Sequence, residues 1–209
     1  MTLNDQQISA ARLGEFFTAG CACLQEHQKQ VDALNVFPVP DGDTGVNMYL
    51  TINSAVKNIS GQSFAGVGEL AAKFALGALM GARGNSGVIL SQLLRGFSQG
   101  LTGRKTTDAR GFAAAIQKGV DLSYKSVMKP VEGTILTVAR HFAAAATAAA
   151  AEGLGVNETL SRAIEAAQQA LDDTPNILPV LKEAGVVDAG GQGLLYIFRG
   201  GAAALRGEA

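Results

Sequence analysis

The sequence predicts an all-α fold. Apolar residues recur every three or four positions along most of the chain. Strand-like alternation is nearly absent, and its nearest case, Val36 to Val39, is broken by Pro38 and Pro40. Glycines cluster where one periodic run stops and the next begins.

Taken in order, helices are expected over residues 7–30, 46–59, 67–82 and 86–101. Phe112, Ile116, Val120, Tyr124 and Val127 then repeat at helical spacing, with Thr107 and Asp108 as caps. Ile135, Val138 and Phe142 resume the pattern after Gly133, and Leu160, Ile164, Ala167 and Leu171 after Asn157. Two more helices are expected over 174–184 and 191–206. The glycine clusters fall at 42–45, 81–87, 133, 185–193 and 200–201. An isolated glycine in such a place serves as a C-cap or turn. Glycines mixed with Asp, Asn or Ser can instead bring backbone amides close to an anion.

At 209 residues, 47% of them hydrophobic, residues 1–209 suffice for one large domain with a sizeable core. A net charge of −1, no Lys/Arg cluster and no Trp leave neither an electrostatic footprint nor a stacking platform for nucleic acid. Met1 to Asp5 lacks the basic-then-apolar pattern of a signal peptide, so a cytoplasmic location is expected. No apolar run reaches the roughly 18 residues of a membrane span. The Ala-rich stretch Phe142 to Ala151 is too short to be one. Cys21 and Cys23 lie two apart, a spacing that with His27 makes no zinc site, and both are expected as reduced helix residues. His27 and His141 have no acid or nucleophile pattern beside them, so both are expected as structural residues and neither argues for a Ser-His-Asp or Cys-His arrangement.

Four loops remain that could carry chemistry. The first is Asn35-Val-Phe-Pro-Val-Pro-Asp41-Gly42-Asp43-Thr44-Gly45-Val46-Asn47-Met48. Alternate carboxylates on an extended turn can converge on one hard cation, and Pro38 and Pro40 stiffen the approach. A calcium EF-hand is excluded, because counting from Asp41 puts Val46 at the glycine position and Ile52 at the bidentate glutamate position. A plain Asx turn is the competing reading. The second loop is Gly81-Ala-Arg83-Gly84-Asn85-Ser86-Gly87, where Asn85 or Ser86 can cap the following helix and its amides can meet phosphate. It lacks the Lys and the preceding strand of a P-loop. The third is Lys129-Pro130-Val131-Glu132-Gly133-Thr134, another helix entry bearing a hydroxyl. The fourth, Gly185-Val-Val-Asp188-Ala189-Gly190-Gly191-Gln192-Gly193, lets backbone approach a ligand, with Asp188 able to accept from a ribose hydroxyl. No strand leads into it, so it is not a Rossmann fingerprint. Arg83 and Lys129 are the cations best placed to neutralise phosphate.

These motifs, with Met80-Gly-Ala-Arg-Gly-Asn-Ser-Gly-Val-Ile-Leu-Ser-Gln and Met128-Lys-Pro-Val-Glu-Gly-Thr-Ile-Leu-Thr-Val-Ala, resemble the N-terminal, nucleotide-binding domain of the kinase component of bacterial fatty acid kinase. That domain is similar to the ADP-binding L subunit of dihydroxyacetone kinase. The resemblance runs from about residue 8 onward. It implies an eight-helix antiparallel barrel with ATP or ADP at one end, its phosphates bridged by two Mg²⁺ ions. Carried over, Asp41 and Asp43 are metal ligands. Thr44, Gly45 and Asn47 line the phosphates, Asn85 and Ser86 lie against the phosphate tail, and Gly133, Thr134, Asp188, Ala189 and Gly190 complete the pocket. One departure stands out. The triose kinase branch has a third Asp five residues before the first carboxylate and a His after the second. Here those positions are Val36 and Thr44, which makes Asn35 the expected third ligand and Asp32 its substitute. The resemblance further implies a longer native chain, whose downstream domains engage a fatty-acid-binding partner protein. Phosphorylation of the presented carboxylate would give an acyl phosphate for phospholipid synthesis. The alternatives are a non-catalytic nucleotide sensor and a dihydroxyacetone kinase-type subunit.

Overall fold

A computed structural model describes residues 6–208. Its helices are α1 (Ala10–Ala33), α2 (Thr44–Ile59), α3 (Val67–Gly81), α4 (Gly84–Gly100), α5 (Ala109–Ser126), α6 (Ile135–Ala151), α7 (Val156–Ile177), α8 (Pro179–Ala184) and α9 (Ala189–Leu205). Local chemistry sets most of their boundaries. Ser9 Oγ accepts the Arg12 N–H at 3.3 Å to open α1, and Asp108 accepts the Gly111 N–H at 2.8 Å to open α5. The expected helix over 174–184 is divided, because α7 continues through Pro175 to Ile177. Proline cannot donate to the Leu171 carbonyl, and the Thr174 hydroxyl donates there instead at 2.7 Å. Proline at the start of α8 and left-handed Gly185 after it confine that element to six residues. Extended pairing among the described residues is limited to one antiparallel bridge, Ile8 with Thr107.

The eight long helices form an antiparallel ring in chain order, with α8 appended to α7 and α9 closing on α1. Along that closing seam Gly193 lies against Leu24, Ile197 against Gly20 and Gly201 against Phe16, while Arg12 donates to the Leu205 carbonyl. The interior is filled by aromatic pairs. Phe17 stacks on Phe74 with centroids 4.0 Å apart, and Phe142 on Phe198 at 3.8 Å. Each such ring removes roughly 150–250 Å² from water. Cys21 is buried and Cys23 half-buried, both as free thiols. No helix among the described residues is long and apolar enough to cross a membrane.

Up-and-down order sends α2, α4, α6 and α9 in the same direction, so all four begin at one end. Three contacts fix this. Gly84 of α4 adjoins Asn47 of α2, Gly193 of α9 adjoins Met48 of α2, and Gly190 of α9 adjoins Ile135 of α6.

Candidate functional site

The chain turns from α1 into α2 through residues 34–43. Asn35 is buried there, its Nδ2 donating to the Val39 carbonyl and its Oδ1 accepting the Asp43 N–H, both at 3.0 Å. The side-chain amide thus spans the turn and sets its width. Within it the Asp41 carboxyl comes into hydrogen-bonding reach of Asp43. Loss of water at the crowded turn, followed by the hydrogen bond and negative charge of Asp43, raises the Asp41 pKa above the ordinary aspartate value. Two carboxylates held together in this way suit a hard divalent cation, which relieves their repulsion. Asp43 also occupies the N-cap position of α2 without capping it through its side chain, so its carboxylate is not spent on the helix. Asp32 of α1 does that work, its Oδ1 accepting the Val46 N–H at 3.0 Å. Among the described residues no three His, Cys, Asp or Glu side chains are grouped to hold a metal.

The second loop lies directly beside this turn. The Thr51 hydroxyl donates to the Asn47 carbonyl at 2.7 Å and accepts the Arg83 N–H at 3.2 Å, which ties α4 to α2. A Cβ on Gly84 would stand 2.5 Å from Asn47 Nδ2. Thr51 carries no local signature and its role was not legible in the sequence; it shows only once Arg83, 32 residues on, is brought to it. The expectation that Asn85 or Ser86 caps α4 is corrected. Arg83 is the N-cap residue, its carbonyl accepting the Gly87 N–H at 3.1 Å, and no side chain caps the helix. The first turns of α2 and α4 therefore lie together without a side-chain cap from their own N-cap residues. The side chains of Thr44, Asn47, Asn85 and Ser86 make no hydrogen bond within the described chain. Thr44 and Gly45 are buried in the first turn, while Asn85 is exposed.

On the other side, α6 and α9 are closed by their own caps. Thr134 Oγ1 accepts the Leu136 N–H at 3.4 Å and donates to the Val131 carbonyl at 2.7 Å. Buried Gly133 donates to Thr137 Oγ1 at 2.8 Å, and Thr137 in turn donates to Glu132. The Asp188 carboxylate accepts the Gly191 N–H at 2.8 Å and also the Ile135 N–H, joining the starts of α9 and α6. Its own N–H is held by Thr174 Oγ1 at 3.1 Å. Ala189 and Gly190 are buried beside it. All four loops thus reach one end of the ring, with an open half on α2 and α4 and a closed half on α6 and α9. His27 is engaged elsewhere, stacked on Tyr196 at 4.1 Å.

Burial raises the Asp188 pKa from 3.8 to about 6, against the opposing effect of the two amides. In this window the folded protein holds a proton that the unfolded chain has released, so stability falls as pH rises from about 4 to 6. The group's contribution is complete below its unfolded pKa and is lost above the folded one; it amounts to about 3 kcal/mol. Asp188→Asn keeps an acceptor for the Gly191 N–H but has no charge to bury. Urea melts at pH 4.5 and pH 7 are expected to show a smaller loss of stability with rising pH in the variant than in the wild type. Equal slopes would contradict this account.

Comparison with known proteins agrees with the architecture. A family model, the DAK2 domain, matches residues 38–203. Protein YloV of Bacillus subtilis (strain 168) is 50% identical over 201 residues, covering 96% of this chain and 36% of that protein. An uncharacterized protein of Staphylococcus saprophyticus is 50% identical over 202 residues, 97% of this chain and 37% of its own. The chain therefore spans little more than a third of the length of these relatives. The crystal structure of the dihydroxyacetone kinase from C. freundii in complex with AMP-PNP and Mg2+ shares the fold with a TM-score of 0.69 at 18% identity. That match covers 95% of this chain and 35% of the kinase chain. With a family model spanning most of its length and the all-α ring in place, the chain belongs to the DAK2 domain family.

Proposed function

We propose that residues 1–209 form the ATP- and Mg²⁺-binding domain of a kinase. The carrying observation is the open half of the site, where two helix N-termini and four unpartnered polar side chains lie beside the paired Asp41 and Asp43. Such an end favours negative charge through aligned peptide dipoles and free amides. In this reading Asp41 and Asp43 hold magnesium. Asn35 braces them and offers the second lone pair of its carbonyl oxygen as third ligand. Thr44, Gly45 and Asn47 receive the phosphates, Asn85 and Ser86 flank the phosphate tail, and Gly133, Thr134 and Asp188 to Gly190 wall the rest of the pocket. Two magnesium ions, when bound, would neutralise charge on the transferring phosphoryl group.

The carboxylates at this end are engaged, Asp188 with backbone amides, Asp32 with the Val46 N–H and Asp41 with Asp43. An acceptor that is already ionised needs no general base, which fits a carboxylate. The finer reading is therefore a fatty acid kinase, its acceptor delivered by an acyl-binding partner protein engaged outside this domain; it rests on the sequence resemblance. Titration calorimetry tests the core of the proposal. ADP and ATP are expected to bind with magnesium and to lose most of their affinity when EDTA is added. Affinity indifferent to magnesium would reject the metal assignment, and absence of binding would reject the function.

A further inference from the structure

We infer that Arg83 recognises the terminal phosphoryl group of the bound nucleotide, a role that rests on the function proposed above. A nucleoside triphosphate with Asp41 and Asp43 carries more negative charge than two divalent cations cancel, so a further cation has to complete the site. Arg83 stands where that cation is needed. Its backbone N–H is fastened to α2 through Thr51 Oγ1 at 3.2 Å, and the same hydroxyl holds the Asn47 carbonyl in the helix that Asp43 opens. The following residue, Gly84, packs on the Asn47 side chain. The Arg83 backbone is therefore fixed beside Asn47 and Thr51 of α2, while its side chain is exposed and makes no hydrogen bond or ion pair within the described chain.

Most other guanidinium groups are already engaged. Arg140 pairs with Glu132, Arg162 with Glu152, Arg206 with Glu208, and Arg110 and Arg199 bond to Ala151 and Gln168. Arg83 precedes the first turn of α4 and so lies outside the amides that receive the inner phosphates. A planar, permanently charged fork at that outer position suits the outermost phosphoryl oxygens.

The test compares AMP-PNP with ADP, both with magnesium, so that no acceptor is needed. In Arg83→Ala the affinity for AMP-PNP is expected to fall about tenfold or more while that for ADP changes by less than about twofold. Arg83→Lys should recover part of the loss. Arg95→Ala controls for net charge: Arg95 is exposed and unpartnered on the same helix, about 18 Å further along, and its removal should leave both affinities unchanged. Equal losses for the two nucleotides, or none for either, overturn the inference and leave the parent function standing. Wild-type protein that binds neither nucleotide overturns both.

Discussion

Asp43→Ala is expected to weaken magnesium-dependent nucleotide binding by about a hundredfold or more while leaving thermal stability almost unchanged. Both halves follow from how the side chain is used. The carboxylate caps nothing in α2, and the bond from residue 43 to Asn35 is made by its backbone N–H, which alanine keeps. What disappears is one of two adjacent anionic oxygen donors. The lost charge also removes a favourable interaction with the helix dipole, worth roughly 0.3–1 kcal/mol, but relieves repulsion from Asp41 in return. Asp41→Ala should behave likewise, since Asp41 is exposed. Calorimetry with and without magnesium, alongside thermal melts, separates the two effects. Unchanged nucleotide affinity in both variants would sink the metal assignment. A matching collapse in melting temperature would mean the loop is structural.

Gly45→Ala should do the opposite and damage the fold first. A Cβ at residue 45 would stand 2.3 Å from the Gln28 carbonyl oxygen, 2.8 Å from Asp32 Oδ1 and 3.1 Å from Val31 Cβ. The first of these is backbone of α1, so the clash is relieved only by moving α1 away from α2. Overpacking of this kind costs about 3 kcal/mol, occasionally more. In a domain of this size the melting temperature would fall by about 6–12 °C. Separation of the helices also loosens the Asp32 cap on Val46, so surviving folded protein is expected to bind nucleotide less tightly. A melting temperature within about 2 °C of wild type would show that the two helices can part without cost.

The two replacements show how unevenly the site was legible in the sequence. Asp41-Gly42-Asp43 stood out locally, because its two carboxylates lie within three residues and the spacing excluded calcium, while the choice between an Asx turn and a metal site came from the family resemblance. The helices were legible for a similar reason: each buried stripe repeats locally, as in Leu13, Phe16, Phe17, Gly20 and Leu24 of α1. Long-range bonds were not. Asp188 reads as a candidate ribose acceptor, yet its carboxylate is a buried link to Ile135, 53 residues earlier in the chain. The resemblance makes Asn35 a metal ligand, and it does not tell that the amide braces a turn across eight residues. The helix expected to begin at residue 174 is instead the end of α7, which the Thr174 hydroxyl carries past Pro175. In each case the deciding partner is one that residue type and local spacing do not name.

Closure of α9 on α1 has a consequence for how the molecule can be handled. Arg12 and Leu205 are neighbours, so the start of α1 and the end of α9 meet at the end of the ring away from the four loops. A short linker across that gap, with a new opening cut at Gly61 between α2 and α3, would rearrange the order of the helices without severing any of the four loops. Gly61 has φ +71° and nothing within 4 Å of where a Cβ would be, so the cut would fall in open space. Tethers or fluorophores fixed near Arg12 or Leu205 would likewise leave the opposite mouth unobstructed.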